Sequence, residues 1–325
     1  MNLCVTGGAG YVGSVVAERL LADGHRVTVV DNLSTGHRDA VPAGCDLVEG
    51  DVRDARVMAR ALGASTDAVL HFAALSVVAE SVQRPLDYFD NNVGGTVSIL
   101  RAMEKAGVGR IVFSSTAAVY GSPASLPIEE AAPCVPENPY GWSKLAVEKV
   151  LEAARVSAGL QYVALRYFNA AGASAALGED HRPESHLIPI VLEAATGARK
   201  GVTVFGGDYP TRDGTCLRDY IHVVDLADAH ARALEAMAHG FSGALNLGSE
   251  TGFTVLEVIA ACERVTGRPV AQQKGPRRAG DPPALVASSR RASEVLGWKA
   301  RASALDEIIA SAHAWRTGHP QGYAR

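Results

Sequence analysis

The stretch that most constrains this chain is a short apolar strand running straight into glycines. Leu3–Thr6 is followed at once by Gly7-Gly8-Ala9-Gly10-Tyr11-Val12-Gly13, which leads into helix-period residues. Gly7, Gly10 and Gly13 fit a GxxGxxG spacing, and Gly8, Gly10 and Gly13 also fit GxGxxG. Backbone without side chains can turn tightly there and bring a helix N-terminus against a pyrophosphate. The glycines alone are a weak signal. The strand-turn-helix context that the pattern requires is what gives them meaning.

The rhythm continues downstream. Leu3–Thr6, Arg26–Asp31, Ala68–Phe72, Arg110–Ser114 and Tyr162–Arg166 read as strands, and the segments 12–23, 54–62, 81–106 and 140–157 carry helix-period apolar residues. Such alternation predicts the α/β class: a Rossmann-type doubly wound parallel sheet covered on both faces. From about Gly172 prolines and glycines gather (Gly206-Gly207, Pro210, Gly214), which predicts a smaller α+β C-terminal substrate region. The expected division is 1–172 for the dinucleotide and 173–325 for the substrate, with some later segments returning to the first domain. Lys274-Gly275-Pro276-Arg277-Arg278 and Gly280-Asp281-Pro282-Pro283 together predict a loop.

Composition narrows the function. A net charge of −4 argues against a nucleic-acid binder, which would show a basic stripe. No apolar run approaches the roughly 18 residues of a membrane span, and the first residues lack a basic leader. Five scattered cysteines (4, 45, 134, 216, 262) without CxxC spacing suit reduced thiols in a cytoplasm and argue against a zinc site, so no metal is expected.

Asp31 ends the second strand, where a carboxylate accepts hydrogen bonds from both adenosine ribose hydroxyls and repels a 2′-phosphate; the cofactor expected is therefore NAD. Asp51-Val52 is placed to reach the adenine, Phe72-Ala73-Ala74 lies beneath the dinucleotide, and Asn91 falls within the helical stretch 81–106. His71 reads as a satisfied core histidine. Ser114-Ser115-Thr116 closes the fourth inferred strand, at the sheet edge where open α/β sheets bind ligands. Tyr140-Gly-Trp-Ser-Lys144 follows Pro139 and opens a helix, so Tyr140 and Lys144 share a helix face. A free phenol titrates near pH ~10. An ammonium fixed beside it favours the phenolate, which makes Tyr140 an expected acid/base. The residues alone reach as far as NAD-dependent chemistry on a hydroxyl or carbonyl.

With these residues assembled, the chain resembles the extended short-chain dehydrogenase/reductase superfamily and, within it, the UDP-glucose 4-epimerase family. The resemblance also covers Asp31-Asn32-Leu33, His71-Phe72-Ala73-Ala74, Asn91-Asn92, Ser114–Gly121, Arg166–Gly172, Asp208–Thr211, Arg218–Asp225, Pro276–Asp281 and His319–Tyr323. It implies that Tyr140 removes the sugar 4-hydroxyl proton, that Thr116 shares that hydrogen bond, and that Lys144 binds the nicotinamide ribose. It implies that Tyr11, Val12, Asn32, Leu33, Ser34, Thr35, Gly36, Ser76 and Phe168 join the cofactor residues already named. For the UDP-sugar substrate it implies Thr116, Asn169, His186, Leu187, Thr203, Val204, Phe205, Arg218, Arg278, Asp281 and Leu285, the arginines suiting a diphosphate.

Three positions depart from the family pattern. Ser76 stands where some members carry lysine, and His186 where some carry asparagine. Leu285 stands where some have tyrosine and others a smaller residue that admits an N-acetyl group, which leaves acceptance of UDP-N-acetylglucosamine open. C4 epimerisation of N-acetylhexosamine, glucuronate or pentose derivatives stays an alternative because the C4 chemistry is identical. Ala117-Ala118 after Thr116, where the 4,6-dehydratases place Asp-Glu, argues against elimination chemistry. A non-catalytic dinucleotide sensor would be expected to lose Tyr140 or Lys144. The resemblance further implies a homodimer formed through 81–106 and 140–157.

Overall fold

A computed structural model describes residues 1–278 and 282–324. Seven parallel strands form one sheet: β1 (Asn2–Thr6), β2 (Arg26–Asp31), β3 (Asp46–Glu49), β4 (Ala68–His71), β5 (Arg110–Thr116), β6 (Gln161–Tyr167) and β7 (Gly243–Leu247). Their order is β7-β6-β5-β4-β1-β2-β3. The register aligns Thr6 with Val30 and His71, His71 with Phe113, and Thr116 with Tyr167, so the carboxyl ends form one edge.

Period-2 alternation decides what covers each face. Leu3 and Val5 point to one side, among Val15, Val16 and Leu20 of α1 (Tyr11–Ala22). Cys4 points to the other, among Ile99 and Met103 of α2 (Gly95–Ala106) and Val147 and Leu151 of α3 (Pro139–Ala158). Each such side chain, fully buried, contributes about 1.5–3 kcal/mol relative to exposure. A third apolar cluster joins α4 (Leu187–Thr196) to the helices Val255–Thr266 and Leu305–Gly318 and builds the substrate-side region. No described helix is long and apolar enough to cross a membrane.

The sheet and its smaller C-terminal region agree with the expected class, but three local readings need correction. The stretch 81–106 is not one helix. It divides into Val78–Gln83, Pro85–Tyr88, a π turn at Phe89–Gly94, and α2. Pro85 has no amide to continue the helix before it. Strands β3 and β7 escaped the sequence reading because each sits at a sheet edge and lacks a long apolar run, so β5 is the fifth strand in chain order. Lys274 and Gly275, expected in a loop, complete a strand, Gln272–Gly275, that pairs with Val202–Phe205.

One buried ionic network clamps α3 to the sheet. Arg166 of β6 donates from Nε to Glu148 of α3 at 2.9 Å and from Nη1 to the Tyr120 hydroxyl at 2.8 Å. Glu148 also accepts from Ser115 of β5 at 2.6 Å, and the Tyr120 hydroxyl donates to Asn246 of β7 at 2.7 Å. Glu148 and Arg166 are both almost fully buried. Removing one charge strands the other away from water, so Arg166→Met is expected to cost about 3–5 kcal/mol in urea unfolding. Arg166→Met combined with Glu148→Leu is expected to recover most of that loss. A single variant as stable as the parent would show that the pair is not what fixes α3.

Candidate active site

The glycine turn is held by backbone against backbone. Gly7 has φ +76°, and a Cβ placed on it would stand 2.5 Å from the Ala73 nitrogen; one on Gly13 would stand 2.2 Å from the Gly7 carbonyl oxygen. No rotamer change relieves such contacts. Gly10 is the extended N-cap of α1 and supplies no side-chain cap, so the first-turn amides are left for a ligand.

Asp31, at the end of β2, accepts from Ala9 N at 3.0 Å and Leu33 N at 2.8 Å. Burial raises its pKa, and those two amide bonds act against the rise. Asn32 accepts from the amide and hydroxyl of Ser34, and beyond the exposed Thr35 a Cβ on Gly36 would lie 2.9 Å from the Ala9 carbonyl carbon. A close-fitting glycine cradle next to a strand-end carboxylate fits a dinucleotide with a free 2′-hydroxyl. Phe72, Ala73 and Ala74 leave β4 beside this cradle, and Ser76 is exposed just beyond. Asp51 is engaged by Arg53 at 2.7 and 2.9 Å, whose hydrogen bonds bring its pKa down to about 2. Tyr11 donates to the Gly172 carbonyl at 2.6 Å.

Tyr140 and Lys144 lie on the first turns of α3, which Pro139 opens and Asn138 caps by accepting from Gly141 N at 2.9 Å. Lys144 Nζ donates to the Ser114 carbonyl at 2.8 Å, lies 4.8 Å from the Phe113 ring centre and 6.0 Å from that of Tyr140. Burial lowers its pKa to about 7, with Glu148 acting in the other direction. The Tyr140 phenol is raised by burial and pulled partly back by a hydrogen bond with Thr116. The expected activation by a neighbouring ammonium therefore needs correction. Desolvation favours the neutral form of both groups, and the closest partner of the amine is a carbonyl. His71 lies between the Thr6 hydroxyl at 2.8 Å and the Thr96 hydroxyl at 3.0 Å, its pKa lowered to about 3 by burial and then by Lys144. It is a neutral core histidine.

Two residues to which the sequence reading gave no role build this end of the site. Asn92, in the π turn, binds both N and O of Leu75 at 2.8 and 3.0 Å and donates to Ser143 Oγ of α3 at 2.9 Å, while Asn91 donates to its side-chain oxygen at 3.0 Å. Tyr167 hydrogen-bonds Ser114 through its hydroxyl. The Asn91-Asn92 pair was the one signal for the first; nothing local marks the second.

On the substrate side, Asn169 starts a short strand (Asn169–Ala171) paired with Tyr220–His222. Arg218 lies opposite Leu285 in a second small sheet and donates to the Pro282 carbonyl at 2.9 Å. Leu285 and Phe168 pack on one apolar cluster with Val119, Tyr120, Ile128 and Leu145. The Arg278 guanidinium lies 4.2 Å from the Phe205 ring centre. Thr203 and Phe205 alternate outward, whereas Val204 is buried; like the buried Val52, it has only backbone to offer a ligand. Leu187 starts α4 as a partly buried side chain. His186 is engaged by Glu179 and Glu184 at 2.8 and 2.9 Å, which hold its pKa at about 10 against burial, so its Nδ1 is not open to a substrate. Asp281 lies outside the described residues.

Known proteins are similar to this chain in sequence and fold. The model of the NAD dependent epimerase/dehydratase family matches residues 3–248. A UDP-glucose 4-epimerase from Lacticaseibacillus casei is 51% identical over 327 residues, covering 99% of each chain. The crystal structure of UDP-glucose 4-epimerase from Bifidobacterium longum in complex with NAD+ and UDP is 40% identical, with a TM-score of 0.94 over 99% of this chain and 100% of that one. The Brucella ovis UDP-glucose 4-epimerase structure in complex with NAD is 46% identical, with a TM-score of 0.92 over 96% of this chain and 97% of that one.

Lys144 makes the site readable by pH. Its folded pKa of about 7 lies below the value of about 10.4 for a free lysine, so between the two the unfolded chain holds a proton that the folded chain lacks. Stability attributable to this residue therefore climbs with pH across that window, by up to about 1.4 kcal/mol per pH unit. Urea unfolding from about pH 7 to about pH 8.5, with the thiols common to both proteins cancelling in the comparison, is expected to show the wild type gaining on Lys144→Met. Parallel pH slopes would mean an ordinary lysine pKa.

Proposed function

The chain belongs to the NAD dependent epimerase/dehydratase family, and from that premise we propose that it interconverts UDP-glucose and UDP-galactose by oxidising and re-reducing C4 of the sugar. The observation that carries this reading is the meeting of Thr116, Tyr140 and Lys144 at the carboxyl edge of the sheet, beside a glycine cradle and a strand-end aspartate. When bound, NAD would supply the acceptor and donor of the C4 hydride, and its cationic ring would supply the positive charge that favours the Tyr140 phenolate.

Tyr140 Oη accepts the 4-hydroxyl proton as C4 becomes a ketone and gives it back when the hydroxyl re-forms. Thr116 shares the hydrogen bond and keeps the phenol aimed. Lys144, oriented by the Ser114 carbonyl, binds the nicotinamide ribose. Gly7, Gly10, Tyr11, Val12 and Gly13 hold the pyrophosphate, and Asp31 the adenosine ribose, with Asn32, Leu33, Ser34, Thr35, Gly36, Asp51, Val52, Phe72, Ala73, Ala74, Ser76, Asn91 and Phe168 around them. Asn169, Arg218 and Arg278 hold the nucleotide while the 4-keto sugar turns about its link to the diphosphate. His186, Leu187, Thr203, Val204, Phe205, Leu285 and Asp281 complete that wall, Asp281 on resemblance alone. Proton and hydride each leave and return, so the reaction is redox-neutral and the cofactor need not exchange.

We assign 1–172 to NAD and 173–325 to the nucleotide sugar, with β7 and the helix Val223–Ala238 returning to the first sheet. Leu285, half-buried beside Phe168, supports a second reading in which other UDP-sugars undergo the same C4 chemistry. A homodimer through 81–106 and 140–157 is supported by large apolar side chains left exposed there: Val82, Leu86, Phe89, Trp142 and Val156. Five scattered cysteines without CxxC spacing support a cytoplasmic setting.

Proton NMR of UDP-galactose with the purified protein and no added NAD is expected to show the anomeric signal of UDP-glucose. No conversion, even with NAD supplied, would remove the UDP-hexose assignment. Tyr140→Phe is expected to abolish turnover, a loss of at least about 100-fold, while leaving bound NAD in place; near-parental activity would remove the proposed base. In sedimentation, the parent is expected to run as a dimer and Leu86→Glu as a monomer, and a monomeric parent would refute the interface.

A further inference from the structure

The segment Glu179-Asp180-His181-Arg182-Pro183-Glu184-Ser185-His186 is built with two faces. Asp180 and Arg182 turn to the chain's end, where Asp180 accepts from Tyr323 N at 3.0 Å and Arg182 donates to the Gln321 carbonyl at 2.8 Å. Glu179, His181, Glu184 and His186 turn to one another, each offering one ligand atom, all within 4.8 Å. His186 Nδ1 lies 2.8 Å from Glu179 Oε1 and 2.9 Å from Glu184 Oε1, and His181 Nδ1 lies 3.1 Å from Glu179 Oε1.

Both carboxylates are withdrawn from water, with 8% of the Glu179 side chain and 4% of the Glu184 side chain exposed. The imidazoles reach Glu179 Oε1 and Glu184 Oε1. Glu184 Oε2 is enclosed and has no hydrogen-bond partner. An enclosed carboxylate oxygen without a donor is costly, and a proton shared from His186 does not reach it. A cation held by all four residues, with Glu184 binding through Oε2, would satisfy it.

We propose that Glu179, His181, Glu184 and His186 bind a divalent transition metal of the zinc class. Two imidazole nitrogens and two carboxylate oxygens supply the ligand number and type of a four-coordinate site. Bonds of about 2.0–2.2 Å in a tetrahedron place ligand atoms about 3.5 Å apart, within the range of separations already present. Magnesium and calcium want a larger set made mainly of oxygens. The cysteine spacing that argues against a zinc site says nothing about a Glu/His set. The site adjoins the active centre: the His181 ring stands edge-on to Tyr11 of the glycine turn, and His186 caps α4. With Nδ1 on the metal, His186 Nε2 carries the proton and becomes a fixed donor.

The test uses tag-free full-length protein dialysed against a chelator and titrated with Co2+, whose visible absorption reports a four-coordinate site. A single equivalent is expected to bind with that spectrum, to be displaced by Zn2+ and to be unaffected by excess Mg2+. Glu184→Gln and His181→Ala are each expected to weaken Co2+ binding by roughly 10–100-fold or more, with circular dichroism reporting the fold. If Glu184→Gln fails to fold, His181→Ala decides, because its ring is partly exposed. Absence of the spectrum, displacement by Mg2+, or undiminished binding in the folded variants would overturn the assignment.

Discussion

A carboxylate and a guanidinium taken out of water must satisfy each other, and Glu148 and Arg166 do so where β5, β6 and α3 meet. The attraction itself adds little net stability after desolvation. Its consequence is geometric. Glu148 lies one turn beyond Lys144 on α3, so binding Ser115 of β5 and Arg166 of β6 sets how far that helix can slide along the sheet. Tyr120 and Asn246 extend the clamp to β7. A helix free to shift by even one residue would carry Tyr140 away from Thr116 and Lys144 away from the Ser114 carbonyl.

That fixed position explains the electrostatics. Lys144 and the Tyr140 phenol share a desolvated environment, which draws the amine down and the phenol up. Both then favour the neutral form, a resting pair that a positive charge nearby can tip toward phenolate. Beside them His71 is kept neutral between two threonine hydroxyls, adding no competing charge. The site is organised for a proton that is lent and returned.

The same principle, applied to backbone, accounts for the cofactor side. Gly7 and Gly13 are required where main chain touches main chain, and Asp31 ties the loop after β2 to the same turn through Ala9 N. Strand register then brings the ends of β1, β2, β4, β5 and β6 to one edge. Residues more than a hundred positions apart thereby face a common space.

Much of this was legible from the chain. The glycine turn, Asp31, the central strands and the helix opened by Pro139 each rest on local rules: spacing, capping and apolar period. Local rules did not reveal β3 and β7, whose pairing with the sheet edges is what makes them strands, nor the break at Phe89–Gly94. They named Asn91 but not Asn92, whose role depends on Leu75 and Ser143. They offered Val52, and the resemblance Val204, without showing that both side chains are buried. The sequence by itself determined which residue types stand at which strand ends, because those choices follow from backbone sterics and helix periodicity. Only the tertiary structure decided their charge states and partners, because desolvation and the pairing of Glu148 with Arg166, or Glu184 with His186, depend on what surrounds a group in space.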